Sequence, residues 1–388
     1  MKETGRIDRE NKAKAKTNFI TLFTESDYIF DSGERLNNIQ VAFQTYGELN
    51  ASADNVILVC HALTGNSHAA GVIDEEEIEN CRSHEFLSKY NRMYFNKPGW
   101  WDPLIGPGKL FDTNRYYVIC SNIIGSCYGS SGPASINESG NKFNLSFPKT
   151  GVRDMVRIQK ELLDQLNIKK IKTVVGGSLG GMQVLEWALL YPKMIESIIP
   201  VATSAAHSPW AIGLNKIAKD AIRNDPAWQN GNYTIQPLAG LSLARQAAML
   251  SYRSMQSFNA KFGRLLQQNK SGNTDFSVVN YLNYQGEKLV NRFDANSYLY
   301  LADAMDDHDI SKKRGELNEV LNSIDLPTLC IGIDSDILYP ADEQKMIAKH
   351  IKNSEYKEIK SLHGHDAFLI EFEQMEKLIK PFLDKYIS

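Results

Sequence analysis

The chain has no apolar run long enough to cross a bilayer and no excess of one charge, its 43 Lys and Arg standing against 46 Asp and Glu for a net −3. The first absence excludes a spanning helix, so no membrane association is expected. The second excludes the broad basic field of a nucleic-acid binder. Cysteine is scarce, five in 388 residues. The number is odd and the spacing fits no metal site. Cys60, Cys120 and Cys330 lie inside apolar, strand-like runs, and with Cys81 and Cys127 they read as reduced core thiols of a cytoplasmic protein. Internal repeats, low-complexity tracts and a coiled-coil seam are also missing. Residues 1–16 are charged and carry no apolar core of a signal peptide, so a flexible tail is expected there, with Lys12, Lys14 and Lys16 in solvent.

What is present is material for one large core with a substantial insertion, 43% of the residues being hydrophobic. The chain is organised around Val174-Val175-Gly176-Gly177-Ser178-Leu179-Gly180-Gly181-Met182-Gln183, where a β-branched run breaks into glycines about one serine and resumes as a helix. No Lys-Ser or Lys-Thr follows, as a phosphate-binding loop would need, and the third glycine of a dinucleotide fingerprint is out of register. The stretch has the form of the nucleophile elbow of α/β-hydrolases, a sharp strand-to-helix turn that exposes one side chain. Ser178 is then the nucleophile, and the Leu179 amide at the helix start can face an oxyanion.

The flanking patterns fit that geometry. Continuously apolar runs at 55–60, 115–120 and 172–175 predict parallel strands covered on both faces, whereas the alternation over 38–46 predicts an outer antiparallel strand with one wet face. A stripe over 152–166 predicts a helix leading into the elbow strand, and a buried helix runs from Met182 to Tyr191-Pro192. A strand is expected over 197–201. Strand and helix stop alternating between about Ser204 and Asp306, where helical periodicity predicts a cap, and resume with a strand at 327–333 and helices at 343–351 and 367–386. The expected organisation is a tail (1–16), an α/β core in two parts (17–204 and 307–388) with a mostly parallel central sheet, and an inserted helical cap or lid (205–306).

A serine hydroxyl needs a base to take its proton and an acid to fix the base's tautomer, in this fold in the order Ser, Asp or Glu, His. Asp334-Ser335-Asp336 ends the late strand, and Leu362-His363-Gly364-His365-Asp366 fills the next connection. Spacing alone separates neither Asp334 from Asp336 nor His363 from His365. The loop His61-Ala62-Leu63-Thr64-Gly65-Asn66 follows a strand where a second oxyanion amide belongs, nominated as that of Leu63, with the His61 ring a hydrogen-bonded support beneath. Trp100-Trp101-Asp102-Pro103 and Ser126 to Pro133 read as long loops at a sheet edge, fitting either a pocket wall or a purely structural role.

The His61 to Gly65 stretch, the Gly176 to Gln183 elbow, Ser335-Asp336 with Leu338-Tyr339-Pro340, and Gly364-His365-Asp366-Ala367-Phe368 resemble homoserine O-acetyltransferases. The likeness runs from about Phe19 to Phe382 and includes Asp225-Pro226-Ala227-Trp228 and Asp294 to Tyr300. It implies Ser178 as the acyl-accepting nucleophile, Asp336 as the orienting carboxylate, His365 as the base, and the Leu63 and Leu179 amides as the oxyanion hole. Leu179 replaces a methionine frequent in the family, which leaves the amide in place. The resemblance also implies that Arg245 and Tyr252 contact homoserine and that Asp366 receives its amine. An α-carboxylate suits a bidentate guanidinium and an ammonium suits a carboxylate. Otherwise Arg245 would be a surface charge and Asp366 a cap of the final helix.

By the same resemblance the substrates are acetyl-CoA and L-homoserine, with no resident cofactor or metal, the product is a methionine precursor, and the protein is a homodimer joined through its cap. Relatives that take succinyl-CoA or use serine are the nearer alternatives. A carboxylesterase shares the triad but has no need of an amino-acid clamp.

Overall fold

In the computed structural model, which describes residues 13–269 and 272–387, the apolar runs form the middle of one eight-stranded sheet. Its strands are β1 (Thr17–Leu22), β2 (Ile39–Tyr46), β3 (Val56–Cys60), β4 (Tyr117–Ser121), β5 (Ile171–Gly177), β6 (Ile198–Val201), β7 (Thr328–Ile333) and β8 (Ser354–Ile359). They lie in the order β1-β2-β4-β3-β5-β6-β7-β8, antiparallel at β1–β2 and β2–β4 and parallel elsewhere.

Alternate residues of each central strand enter opposite cores, which is why these strands are apolar along most of their length. Val56, Leu58 and Cys60 pack with Met155 and Leu162 of helix α1 (Val152–Gln165) and with Leu185 of the elbow helix α2 (Leu179–Leu190). Ile57 and Val59 pack on the other side, with Trp101 and with Met375, Ile379 and Phe382 of the C-terminal helix. Glu186 of α2 is 1% exposed and accepts from Arg153 Nε at 3.0 Å and Arg314 Nη2 at 2.7 Å, so two cations tie α2 to α1 and to the segment that leads into β7.

Between β6 and β7 come the helices α3 (Pro209–Arg223), α4 (Leu238–Tyr252), α5 (Met255–Phe262), α6 (Ser277–Val290) and α7 (Ala295–Asp306). This stretch also contains a two-stranded ribbon, Leu266–Gln268 with Thr274–Phe276, where the sequence pattern predicts helices alone.

Other expectations need correction. The strand over 38–46 is neither outer nor wet, because β1 covers its flank and Gln44 is buried with its amide donating to Thr17 Oγ1 at 2.9 Å. The edge strand β8, Ser-Glu-Tyr-Lys-Glu-Ile, is too polar to show the period of a buried strand. The single helix expected over 367–386 is a 3₁₀ turn, Gly364–Leu369, followed by helix α8 (Phe372–Tyr386), whose N-cap is Glu371 and not Asp366. Of the expected tail, residues 1–12 lie outside the described residues, and 13–16 are anchored. The Ala15 amide donates to Val72 O at 2.9 Å, Ala15 is buried, and Lys14 pairs with Asp74 at 2.8 Å. No helix among the described residues is long and apolar enough to cross a membrane.

Candidate active site

Ser178 joins β5 to α2 with φ 60° and ψ −128°, a region that costs a residue with a Cβ about 1–3 kcal/mol and persists only where the surroundings impose it. Here the imposing contacts are close. A Cβ on Gly180 would stand 2.2 Å from the Cys60 carbonyl oxygen, and one on Gly177 would stand 2.6 Å from the Phe368 ring. The Ser178 amide donates to Val201 O at 3.0 Å, and Thr203 Oγ1 donates to Ser178 O at 2.8 Å. The serine is held by its backbone and projects from the carboxyl end of the sheet.

The two ambiguities of the sequence resolve through local turns. Asp336 Oδ1 accepts from the Leu338 and Tyr339 amides at 2.8 and 3.0 Å, which turns Oδ2 toward His365 Nδ1, 2.7 Å away. Asp334 instead accepts from the Ser361 amide at 3.0 Å, and His363 Nδ1 lies 3.3 Å from Arg253 Nη1. Burial opposes a charged His365 ring, but the charge and hydrogen bond of Asp336, with Asp366 adding, more than offset it and raise its pKa above 6.5. With Nδ1 committed to Asp336, Nε2 is the nitrogen available for proton transfer. Phe368 links this unit to the elbow, its ring centroid 5.5 Å from that of His365 and its edge against Gly177. The Trp101 indole donates to Phe368 O at 3.0 Å, so the Trp100-Trp101 loop supports the histidine turn from below.

The Leu63 and Leu179 amides donate to no protein acceptor among the described residues. Gln183 ties the start of the elbow helix to the loop that carries Leu63, its Nε2 donating to His61 O at 3.2 Å and Leu179 O at 3.1 Å. His61 Nε2 accepts from the Ile123 amide at 3.1 Å while Nδ1 lies 2.8 Å from Ala62 O, and burial lowers its pKa to about 4. It is a neutral support. Arg292, which the sequence reading did not nominate, is buried and donates to Thr64 O at 3.1 Å and to the Tyr128 hydroxyl. That contact gives the Ser126 to Pro133 loop its structural role, bracing the loop that carries Leu63.

On the cap side, the Arg245 guanidinium lies 5.3 Å from the Tyr252 ring, whose centroid is 5.9 Å from that of His365. Asp366 lies beside the same histidine with 19% of its side chain exposed, and Arg253 Nε stands 3.0 Å from Asp366 Oδ2 without the alignment of a hydrogen bond. Burial raises the Asp366 pKa against the opposing pull of Arg253, Arg245 and His365. Arg253 is the second residue that sequence reasoning missed; its only signal was adjacency to Tyr252. The structure thus gathers Arg245, Tyr252 and Asp366 about His365 and adds a cation that already neighbours the carboxylate.

A mostly parallel eight-stranded sheet, a strained serine at a strand-to-helix turn and a buried Asp–His pair define the alpha/beta hydrolase fold. The chain belongs to that family, whose description matches residues 55–372. More narrowly it belongs with the homoserine O-acetyltransferases, acyltransferases on this fold. It is 48% identical over 363 residues to the homoserine O-acetyltransferase of Moorella thermoacetica, covering 91% of this chain and 92% of that protein. The crystal structure of homoserine O-acetyltransferase from Bacillus anthracis superposes with a TM-score of 0.84 at 30% identity, over 97% of this chain and 99% of that one. Esterase E22 has a similar backbone, TM-score 0.83 at 28% identity, over 95% of this chain and all of that one (100%).

Proposed function

We propose that the protein transfers the acetyl group of acetyl-CoA to the hydroxyl of L-homoserine through an acyl-serine intermediate. His365 Nε2 removes the Ser178 proton as Ser178 Oγ attacks the thioester carbonyl, and the Leu63 and Leu179 amides receive the oxyanion. The intermediate collapses with cleavage of the C–S bond, and His365 returns the proton to the departing CoA thiolate. In the second half, His365 takes the proton of the homoserine hydroxyl, whose oxygen attacks the acyl carbon. Ser178 leaves with that proton, and O-acetyl-L-homoserine, a methionine precursor, is released. Arg245 and Tyr252 hold the acceptor's α-carboxylate end, and Asp366 its ammonium.

The observation that carries this reading is the Asp336–His365 pair beside the Arg245–Tyr252 face, in a chain of this family. Transfer outruns hydrolysis only if the acceptor is positioned and water is kept out, which is the purpose we assign to a cap spanning about residues 205–306. Mixing enzyme with acetyl-CoA alone should release a burst of thiol equivalent to the enzyme, followed by slow turnover that homoserine accelerates. Full turnover by Ser178→Ala would overturn the reading. The backbone likeness to esterase E22 favours a second reading, ester hydrolysis. It predicts instead that homoserine leaves the rate unchanged. Steady-state rates with acetyl-CoA and succinyl-CoA against homoserine and serine distinguish the remaining donors and acceptors.

A homodimer through the cap is part of the same proposal. Ile235, Leu243, Leu250, Met255, Leu265 and Leu266 are exposed on this one insertion, apolar side chains that a second copy would cover. Light scattering on the eluted protein should give twice the chain mass. Five unpaired, buried thiols support placing the protein in the reducing cytoplasm.

A further inference from the structure

A cavity of about 440 Å³ opens between α5, α6 and the turn that carries His365. Arg253, Lys261 and His363 line it together with Phe258 and Tyr281, and no carboxylate contributes to its wall. In a chain of net charge −3 such a wall is a local exception. Lys261 Nζ lies 4.7 Å from the centroid of the Tyr281 ring, and no carboxylate among the described residues pairs with it. At the inner end Arg253 reaches both His363 Nδ1, 3.3 Å from its Nη1, and Asp366, 3.0 Å from its Nε. The wall therefore includes His363, two residues before His365, and Arg253, which in turn reaches Asp366 on the other side of that histidine.

This combination selects a ligand class. Guanidinium and ammonium groups favour phosphate oxygens, and the half-buried Phe258 and Tyr281 side chains in the wall offer apolar contact to a flat heteroaromatic ring. A simple carboxylate would leave the aromatic side chains of the wall unused, and an apolar acyl chain would leave Lys261 unpaired. We infer that this cavity binds the phosphorylated, adenine-bearing end of the acyl donor, with the thioester arm passing Arg253 toward Ser178. The inference rests on the reading above that the donor is a coenzyme A thioester. Lys261 supplies a charge at the mouth, and Arg253 a second one at the throat, partly offset by Asp366.

The test uses the full-length enzyme and two donors, acetyl-CoA and S-acetyl-pantetheine, which lacks the nucleotide. Lys261→Glu should raise KM for acetyl-CoA about tenfold relative to KM for S-acetyl-pantetheine, and Lys261→Met should do so by a smaller factor. Adenosine 3′,5′-bisphosphate titrated calorimetrically into the wild-type protein should bind at one site per chain. That affinity should fall about tenfold in Lys261→Glu and weaken with added salt. Equal KM changes for both donors, or bisphosphate binding that is absent or indifferent to Lys261, would overturn the inference. The two ideas fail separately. Ester hydrolysis without transfer from acetyl-CoA, with Lys261-dependent bisphosphate binding, removes the transferase reading and keeps the cavity assignment. Transfer with no Lys261 dependence does the reverse.

Discussion

His365 Nδ1 stands 2.7 Å from Asp336 Oδ2, with 4% of the histidine side chain and none of the aspartate's exposed. The carboxylate's other oxygen is saturated by two backbone amides, so Asp336 is rotationally fixed and has one lone-pair direction left to offer. A base held this way has one tautomer and a raised proton affinity.

The pH dependence follows from that geometry. On the proposed role of His365 as base, its pKa above 6.5 means that the neutral form is lost as pH falls through a value higher than that of an ordinary histidine. The acid limb of kcat/KM should therefore bend above pH 6.5. Asp336→Asn should lower kcat by on the order of 10³–10⁴ and move the limb down. The linked stability has the sign of a raised histidine: it is fully present below the unfolded pKa of about 6.5 and lost as pH rises through the folded value. Denaturant melts of Asp336→Asn should then show a larger deficit at pH 5 than at pH 9, and the opposite order would contradict the assignment.

Ser178 has φ 60° in a conformation that glycine adopts more readily. Ser178→Gly and Ser178→Ala should both be inactive. The glycine variant should be the more stable of the two by about 1 kcal/mol, reversing the usual ranking of alanine over glycine. Thermal unfolding of the pair decides it; an alanine variant that melts higher would mean the turn is unstrained.

Arg245 lies against the Tyr252 ring and makes no side-chain hydrogen bond or ion pair among the described residues. On the proposed role, Arg245→Ala should raise KM for homoserine by about 100-fold, the worth of a charge-assisted pair, and leave the thiol burst with acetyl-CoA intact. Loss of the burst would place Arg245 in the acylation half instead.

Glu186 is buried between Arg153 and Arg314. Glu186→Gln leaves two cations without their counter-charge and should cost about 3 kcal/mol in urea melts, the penalty of breaking a buried pair from one side. A change below about 0.5 kcal/mol would show that solvent reaches both guanidiniums.

Much of the architecture was legible in the sequence because it follows from local periodicity. Continuous apolar runs mark strands covered twice, the glycines about Ser178 mark a close strand-to-helix crossing, and the stripe over 152–166 marks the helix between. Where periodicity is weak the reading failed. β8 is too polar to announce itself, β2 looks wet in isolation but is covered by β1, and the ribbon at 266–276 is hidden among helical patterns.

Taken alone, the chain determined the fold class, the elbow serine and the short segments that had to supply an acid and a base, since each depends on neighbours within a few residues. Spacing left Asp334 and Asp336, and His363 and His365, undivided; family resemblance favoured Asp336 and His365, and only the folded chain brings that pair together. The choice depends on which backbone amides fold over one carboxylate and which ring then meets it across 29 residues of sequence. The same holds for Arg253 and Arg292, whose neighbours Asp366 and Thr64 lie far away along the chain. Contacts of that kind arise from how loops of different lengths converge at one end of a sheet, and no residue-to-residue period encodes them.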